Sequence, residues 1–368
     1  MNNRVYISAT NQHVGKTTTT LGLVQTLQSL NIDTGYCKPV GQKYVIARNG
    51  QVDKDAVLFA KVMGFDLEPN IHSPVILSGS TVTDYIENPS QFTFPQKIEK
   101  ASRILCQRHK FVVYEGTGHP GVGSVVDLSN AQVAKNLNSG VIMVVEAGIG
   151  STLDRLTMCL AVFEQKQVPI IGVIVNKTLE QKYEKVKYFV GKKLSQKGIP
   201  LLGVIPYEEE LALPLMQSVV ESINGKVLFN REKLDNRVQE IIAGSLIDKK
   251  VLKNTSNLLL VVSQSRLDDA LKKLKEVSMV MGTGETILAG IVISGKGELS
   301  ESATEYVNTF GIPVVSSPMD TYECVIKISR IEVKINTRTP WKVTKAVALF
   351  KKYIDVDLLT NRLEFLYG

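Results

Sequence analysis

Several things are scarce or missing in this 368-residue chain, and each absence narrows the field. No run of about 18 apolar residues occurs, so no transmembrane helix is expected. The N-terminus lacks a charged stretch followed by a long apolar segment, so no signal peptide is expected. The 4 cysteines, Cys37, Cys106, Cys159 and Cys324, are far apart and form no Cys-x-x-Cys pair, which argues against a zinc site. Together these point to a cytoplasmic protein with reduced thiols and no membrane contact. No internal repeat or low-complexity tract is present. The net charge of +7 is modest for this length. Its lysines are scattered in short clusters such as Lys192-Lys193, Lys249-Lys250 and Lys351-Lys352, which read as solvated helix faces. No basic stripe with interleaved aromatics stands out, so nucleic acid is not an expected partner.

What is present is ordinary globular composition, 44% hydrophobic and 21% charged, in a chain long enough for two domains. The first two hundred residues alternate short apolar runs with helical patterns. Candidate strands are Val5–Ser8, Thr34–Lys38, Phe111–Tyr114, Val141–Val145, Ile170–Val175 and Leu201–Ile205. Near-continuous apolar strands separated by helices predict an α/β fold with a parallel sheet flanked by helices. Ligands then belong beyond the carboxyl ends of the strands. Regularity weakens after Pro214, and a second alternating unit follows: strand 258–262, helix 268–280, strand 289–293, helix 301–310, strand 314–315. Segment 332–335 and helix 343–353 come after it. The expected division is a nucleotide-binding domain over 1–214 and a linker plus smaller α/β domain over 215–368.

The most informative stretch is Ala9-Thr10-Asn11-Gln12-His13-Val14-Gly15-Lys16-Thr17. It follows an apolar strand and precedes a helical pattern beginning at Thr18, the context of a phosphate-binding loop. Loop and helix N–H groups would converge on anionic oxygens. Lys16 would reach the terminal phosphates of a nucleotide and Thr17 would serve Mg²⁺. The pattern departs from the common one at Thr10, where a glycine is usual. Glu115 ends an apolar strand and is a candidate Mg²⁺ ligand, or else caps a Gly-rich turn. Lys38, before Pro39, would project at the rim and could neutralise a transferring phosphoryl group, or is a surface lysine. Asp53 and Asp55 precede an apolar helix and are either N-caps or metal carboxylates. Asn176 ends another strand and could read a base. His13 and His119 flank the phosphate site, with a turn role the commoner fate of such residues.

Taken together these residues resemble the dethiobiotin synthetase family. The loop 9–17 looks like that family's long phosphate loop, Cys37-Lys38-Pro39-Val40 like its Tyr-Lys-Pro-Val strand end, Asp55-Ala56 like its Ser-Asp-Ala segment, and Glu115-Gly116-Thr117-Gly118 like its Glu-Gly-Ala-Gly turn. The resemblance implies a P-loop fold with ATP and Mg²⁺ as cofactors. Lys16 and Lys38 would contact phosphates and carry catalysis, Thr17, Asp55 and Glu115 would serve Mg²⁺, and Asn176 would contact adenine. It also implies pairing of subunits at the substrate site. The run Glu115 to Ala131 is more similar to the N-terminal region of long bacterial phosphate acetyltransferases, where a small regulatory domain named for an Asp-Arg-Thr-Gly-Gly (DRTGG) motif follows. Here that motif is degraded to Ser265-Arg266-Leu267-Asp268-Asp269. The catalytic domain of those enzymes needs roughly another 300 residues and is not expected in this chain. Asn11 replaces an Asp, and Gly41-Gln42-Lys43 replaces a small-residue stretch, so the nucleotide half of the site is expected to be kept and the substrate half changed. Two readings follow: an ATP-dependent enzyme that activates a carboxylate by phosphorylation, or a non-catalytic nucleotide-sensing module acting on a partner such as an acetyltransferase. A partitioning-type ATPase would carry a lysine where Asn11 stands. The substrate and any effector are not legible.

Overall fold

The computed structural model describes residues 3–47, 50–244, 247, 256–280, 286–295 and 298–367. Lys249-Lys250 lie outside the described residues. In chain order the elements are β1 (Arg4–Ala9), α1 (Lys16–Ser29), β2 (Thr34–Cys37), β3 (Val40–Gly41), β4 (Tyr44–Ala47), β5 (Gly50–Asp53), α2 (Lys54–Met63), α3 (Pro69–His72), β6 (Val75–Ile76), α4 (Gly79–Glu87), α5 (Phe94–Arg108), β7 (Phe111–Glu115), α6 (Asn130–Asn136), β8 (Gly140–Glu146), α7 (Gly150–Gln165), β9 (Ile170–Thr178), α8 (Tyr183–Ser195) and β10 (Leu201–Pro206). Then come α9 (Glu209–Ala212), α10 (Met216–Ser222), β11 (Lys226–Phe229), β12 (Glu240–Ala243), β13 (Leu258–Ser263), α11 (Leu267–Val280), β14 (Leu288–Ser294), α12 (Glu301–Phe310), β15 (Val314–Ser317), α13 (Thr321–Ser329), α14 (Pro340–Tyr353) and α15 (Val356–Tyr367).

The chain forms two compact units, Met1–Glu208 with Ile335–Gly368, and Glu209–Lys334. In the first, six parallel strands run in the order β10-β9-β8-β1-β7-β2. The strands are apolar on both faces because both faces are covered. On one face Val141, Met143, Val173 and Val175 pack with Leu156, Leu160 and Phe163 of α7 and with Val186, Val190 and Leu194 of α8. The register pairs Tyr6 with Tyr114 and Ile7 with Glu115, so the loop leaving β1 and the turn leaving β7 emerge side by side.

Residues 335–368, expected with the second domain, belong instead to the first unit. The reason is a close approach of backbones. A Cβ on Gly22 of α1 would lie 2.2 Å from Cβ of Phe350 in α14, and one on Gly203 of β10 would lie 2.3 Å from the carbonyl oxygen of Tyr353. Small residues there admit α14. Local pattern marks 343–353 as a helix but does not say what it packs on. Segment 332–335 is neither helix nor strand.

The second unit is a five-stranded sheet in the order β11-β15-β14-β13-β12, with β11 antiparallel and the rest parallel. Leu258, Leu260 and Val262 face α11 and α12, while Leu259 and Val261 face α10 and α13. Period-two alternation along β13 thus feeds two cores. Helix α12 starts on the Ser300 hydroxyl, which accepts from Ala303 N–H at 3.1 Å, and stops at Gly311 with φ 61°. All four cysteines are free. Among the described residues no helix is long and apolar enough to cross a membrane.

Candidate functional site

The ends of β1, β7 and β2 assemble the site. After Ala9 the backbone N–H of Thr10 donates to Val144 O at 3.1 Å, anchoring the loop to β8. Asn11, Gln12 and His13 are exposed, and the Asn11 carboxamide oxygen accepts from Gln12 N–H at 2.8 Å. His13 takes φ 59° and its carbonyl accepts from Lys177 Nζ at 2.6 Å. Val14 is buried, and Gly15 turns at φ 104° into the first residue of α1. That left-handed turn favours glycine, and a Cβ there would also meet Asn176 Nδ2 at 2.0 Å. Thr18 lies half-buried in the first turn of α1.

Lys16 is buried, and its Nζ donates to Gly118 O at 2.8 Å and to Asn11 O at 3.4 Å. The ammonium therefore rests on carbonyls of both the loop and the turn after β7. Thr17 Oγ1 donates to Glu115 Oε1 at 2.9 Å, and Tyr36 OH donates to Glu115 Oε2 at 3.3 Å. Burial pushes the Glu115 carboxyl up to about 7, against the pull of Lys38.

Lys38 sits in the middle of three carboxylates. It is bonded to Asp55, with Asp53 Oδ1 at 3.6 Å and Glu115 Oε1 at 3.9 Å. Burial alone would lower Lys38, but Asp55, then Glu115 and Asp53, outweigh it and hold the ammonium above the usual lysine range. Asp53 does cap α2, accepting from Asp55 N–H at 2.9 Å, and also accepts from Gln42 N–H at 3.1 Å. It therefore clamps the base of the β4–β5 hairpin and faces Lys38 as well. Burial raises its carboxyl despite Lys38.

The structure brings Lys16, Thr17, Lys38, Asp53, Asp55 and Glu115 into one connected set. Asn176 joins differently. Its Nδ2 donates to Val14 O at 2.8 Å, so it buttresses the loop. His119 is exposed, its Nδ1 accepting from Gly121 N–H at 3.2 Å, as a turn residue does.

One residue was not assigned a role by sequence reasoning. The buried Asn130 amide accepts from Tyr6 OH at 2.7 Å and Thr117 N–H at 3.0 Å, and donates to Thr117 O at 2.7 Å and His119 O at 2.6 Å. Those bonds hold the turn whose Gly118 carbonyl receives Lys16. Asn130 opens α6, 13 positions beyond Thr117, and the only sequence signal was an Asn at a helix start. Among the described residues no three His, Cys, Asp or Glu side chains cluster as a preformed metal cage. The arrangement instead offers one hydroxyl and carboxylates beside two lysines, hard oxygen donors next to cations.

Comparison with known proteins gives the same outline. A family described as an AAA domain matches residues 3–214, and one described as a DRTGG domain matches residues 218–331. The chain is 23% identical to a phosphate acetyltransferase of Nitratidesulfovibrio vulgaris over 372 residues, covering 99% of this chain and 52% of that protein. It is 28% identical to a cobyric acid synthase of Carboxydothermus hydrogenoformans over 254 residues, covering 62% of this chain and 50% of that protein. It is 23% identical to an ATP-dependent dethiobiotin synthetase of Nitrosopumilus maritimus over 213 residues, covering 56% of this chain and 90% of that protein. The chain spans about half the length of the phosphate acetyltransferases it matches.

Proposed function

This chain belongs to the AAA-domain family of P-loop proteins, and on that footing we propose that it binds Mg-ATP at loop 9–17 and phosphorylates a carboxylate-bearing small molecule. The observation that carries the reading is Lys38, a second buried lysine set among Asp55, Asp53 and Glu115 beside the Thr17–Glu115 pair. Phosphate binding alone needs only the loop and Lys16. A further cation at the rim is what a transferring phosphoryl group needs.

The residues present fit the cofactor. A hydroxyl and carboxylates suit Mg²⁺, a hard cation, and the Glu115 carboxyl, pushed up to about 7, is a group that a cation would relieve. Thr17 and Glu115 would hold the metal, with Asp55 as the further carboxylate, and the bound metal would neutralise phosphate charge. Lys16 would leave the Gly118 carbonyl for the terminal phosphates. Lys38 would orient the acceptor carboxylate against them. Asn176, with one N–H engaged by Val14, would offer its remaining amide atoms to the adenine edge. Loop residues Thr10 to Thr18 would supply the backbone cradle.

Calorimetric titration of Mg-ATP into the protein and a Lys16→Ala variant tests the binding. Loss of binding in the variant is the expected result, and wild-type affinity in the variant would overturn it. Phosphate release in the presence of small carboxylic acids then tests transfer, with Lys38→Met expected to bind ATP but not turn it over.

A second reading is nucleotide sensing by a regulatory module. It is favoured by the alignment with about half of each phosphate acetyltransferase, and by the DRTGG match in the second unit. Tight ATP binding without any acid-dependent turnover would select it.

A further inference from the structure

Helix α8 carries an exposed feature that neither its own packing nor the nucleotide site uses. Its inner face is apolar and buried through Val186, Val190 and Leu194. On the opposite side two adjacent rings point into solvent, Tyr188 at 59% and Phe189 at 45% exposure. They meet edge to face with centroids 5.1 Å apart. Lys185, Lys192 and Lys193 stand three or four residues away, one helical turn on either side of the rings. All three are exposed, and Lys192 Nζ lies 5.8 Å from the Tyr188 centroid. Segment 180–197 holds 6 lysines against 2 glutamates, and none of the six forms an ion pair among the described residues. A solvated face accounts for the lysines. It does not account for two large rings held out in water among them, and this is the basic stripe with aromatics that the linear sequence did not reveal.

We propose that the outer face of α8 docks an acidic, partly apolar segment of a partner protein, with the rings at the centre of the contact and the lysines at its rim. Aromatic anchors inside a charged rim are the ordinary anatomy of a protein interface. Two other anionic occupants fit less well. Single-stranded nucleic acid wants flat ring faces for stacking bases, and here the rings occupy one another edge to face while Lys192 sits over Tyr188. An interfacial membrane helix turns its apolar face to the lipid, whereas that face of α8 is spent on the core. The lysines, lacking carboxylates of their own, supply the charge complementarity for glutamate and aspartate.

The test uses fluorescence anisotropy with the full chain and a labelled peptide of mixed glutamate and leucine, beside the same peptide with glutamine for glutamate. Phosphatidylcholine–phosphatidylserine vesicles and an oligo-deoxythymidine are run in parallel. The acidic peptide is expected to bind, more weakly as salt rises, and the glutamine peptide to bind poorly. The paired variants Lys192→Glu/Lys193→Glu and Tyr188→Ser/Phe189→Ser are each expected to weaken binding about tenfold or more, with thermal unfolding and Mg-ATP titration unchanged. Failure to bind the acidic peptide, equal binding by the charge-reversed pair, or preference for vesicles or oligonucleotide would overturn the proposal.

Discussion

The two units share a plan, parallel strands covered on both faces, yet their carboxyl ends are furnished differently. In the first, Lys16 follows the loop after β1, Glu115 ends β7 and Lys38 follows β2, and every buried charged side chain among the described residues lies in that unit. In the second, the matching positions are hydroxyls. Ser263, Ser294 and Ser317 close β13, β14 and β15 in register, and Ser294 is bonded to Thr321 at 2.7 Å. A buried charge costs free energy unless it is paired and hydrogen-bonded, and even a paired one is weak evidence of net stability. The sheet supplies a rim in both units; only the first rim carries buried charge, which singles it out as the candidate site.

Gly15→Ala against Gly295→Ala breaks this comparison most sharply. Both glycines have positive φ, 104° and 90°, but a Cβ at Gly15 would collide with Asn176 while one at Gly295 meets open space. Chemical denaturation should show a loss of about 3 kcal/mol or more for Gly15→Ala and about 1 kcal/mol for Gly295→Ala. Equal losses would mean the loop is no more constrained than a surface turn.

Lys16→Ala should weaken Mg-ATP binding by about a hundredfold, as expected for a lost charge-assisted contact. Arg266→Ala, on the second rim, should leave that affinity unchanged.

The pH dependence of stability comes next. Glu115 stands at about 7 in the folded protein against an ordinary 4.5. The folded state therefore holds the proton more tightly, and stability falls as pH rises between those values, by roughly 2–3 kcal/mol. In Glu115→Gln that slope should disappear, leaving the variant more stable than wild type above pH 7 in the absence of Mg²⁺. Urea midpoints measured across that range decide it, and an unchanged slope would assign the titration elsewhere.

The smallest effect is expected for Asn130→Ala. It touches no ligand position itself, so its influence runs through Gly118 and Lys16. A weakening of Mg-ATP by about tenfold is expected, with little change for adenosine, which has no phosphate for Lys16. Equal loss for both would indicate a general disruption.

Much of this was legible in one dimension. The six strands of the first sheet were marked by apolar runs; the structure extends five of them by a few residues at their ends, as at Ile170–Thr178, and ends β2 one residue short at Cys37. The helix Glu301–Phe310 has the bounds read from its pattern, with Ser300 and Gly311 capping it in the structure. Lys16 and Thr17 were visible from the Gly-Lys-Thr run between a strand and a helix, and Lys38 and Glu115 from their places where apolar strands end. The β4–β5 hairpin was not foreseen, since Tyr44–Ala47 is short and half exposed. Asp53 presented itself as a choice between cap and site residue, and turned out to cap α2 while facing Lys38.

By itself the sequence determined the alternation of strand and helix, the phosphate loop between β1 and α1, and the identities of the residues at the strand ends. These are local properties, set by period, turn chemistry and spacing. Only the tertiary structure decided that β7 lies beside β1, so that Glu115 meets Thr17, and that α14 packs on Gly22 of α1 within the first unit. It also decided that Asn130 grips the turn beneath Lys16, and that the rings of α8 face outward. Each of these joins residues far apart in the chain or chooses one face of a helix, and such choices depend on which surfaces exclude water together.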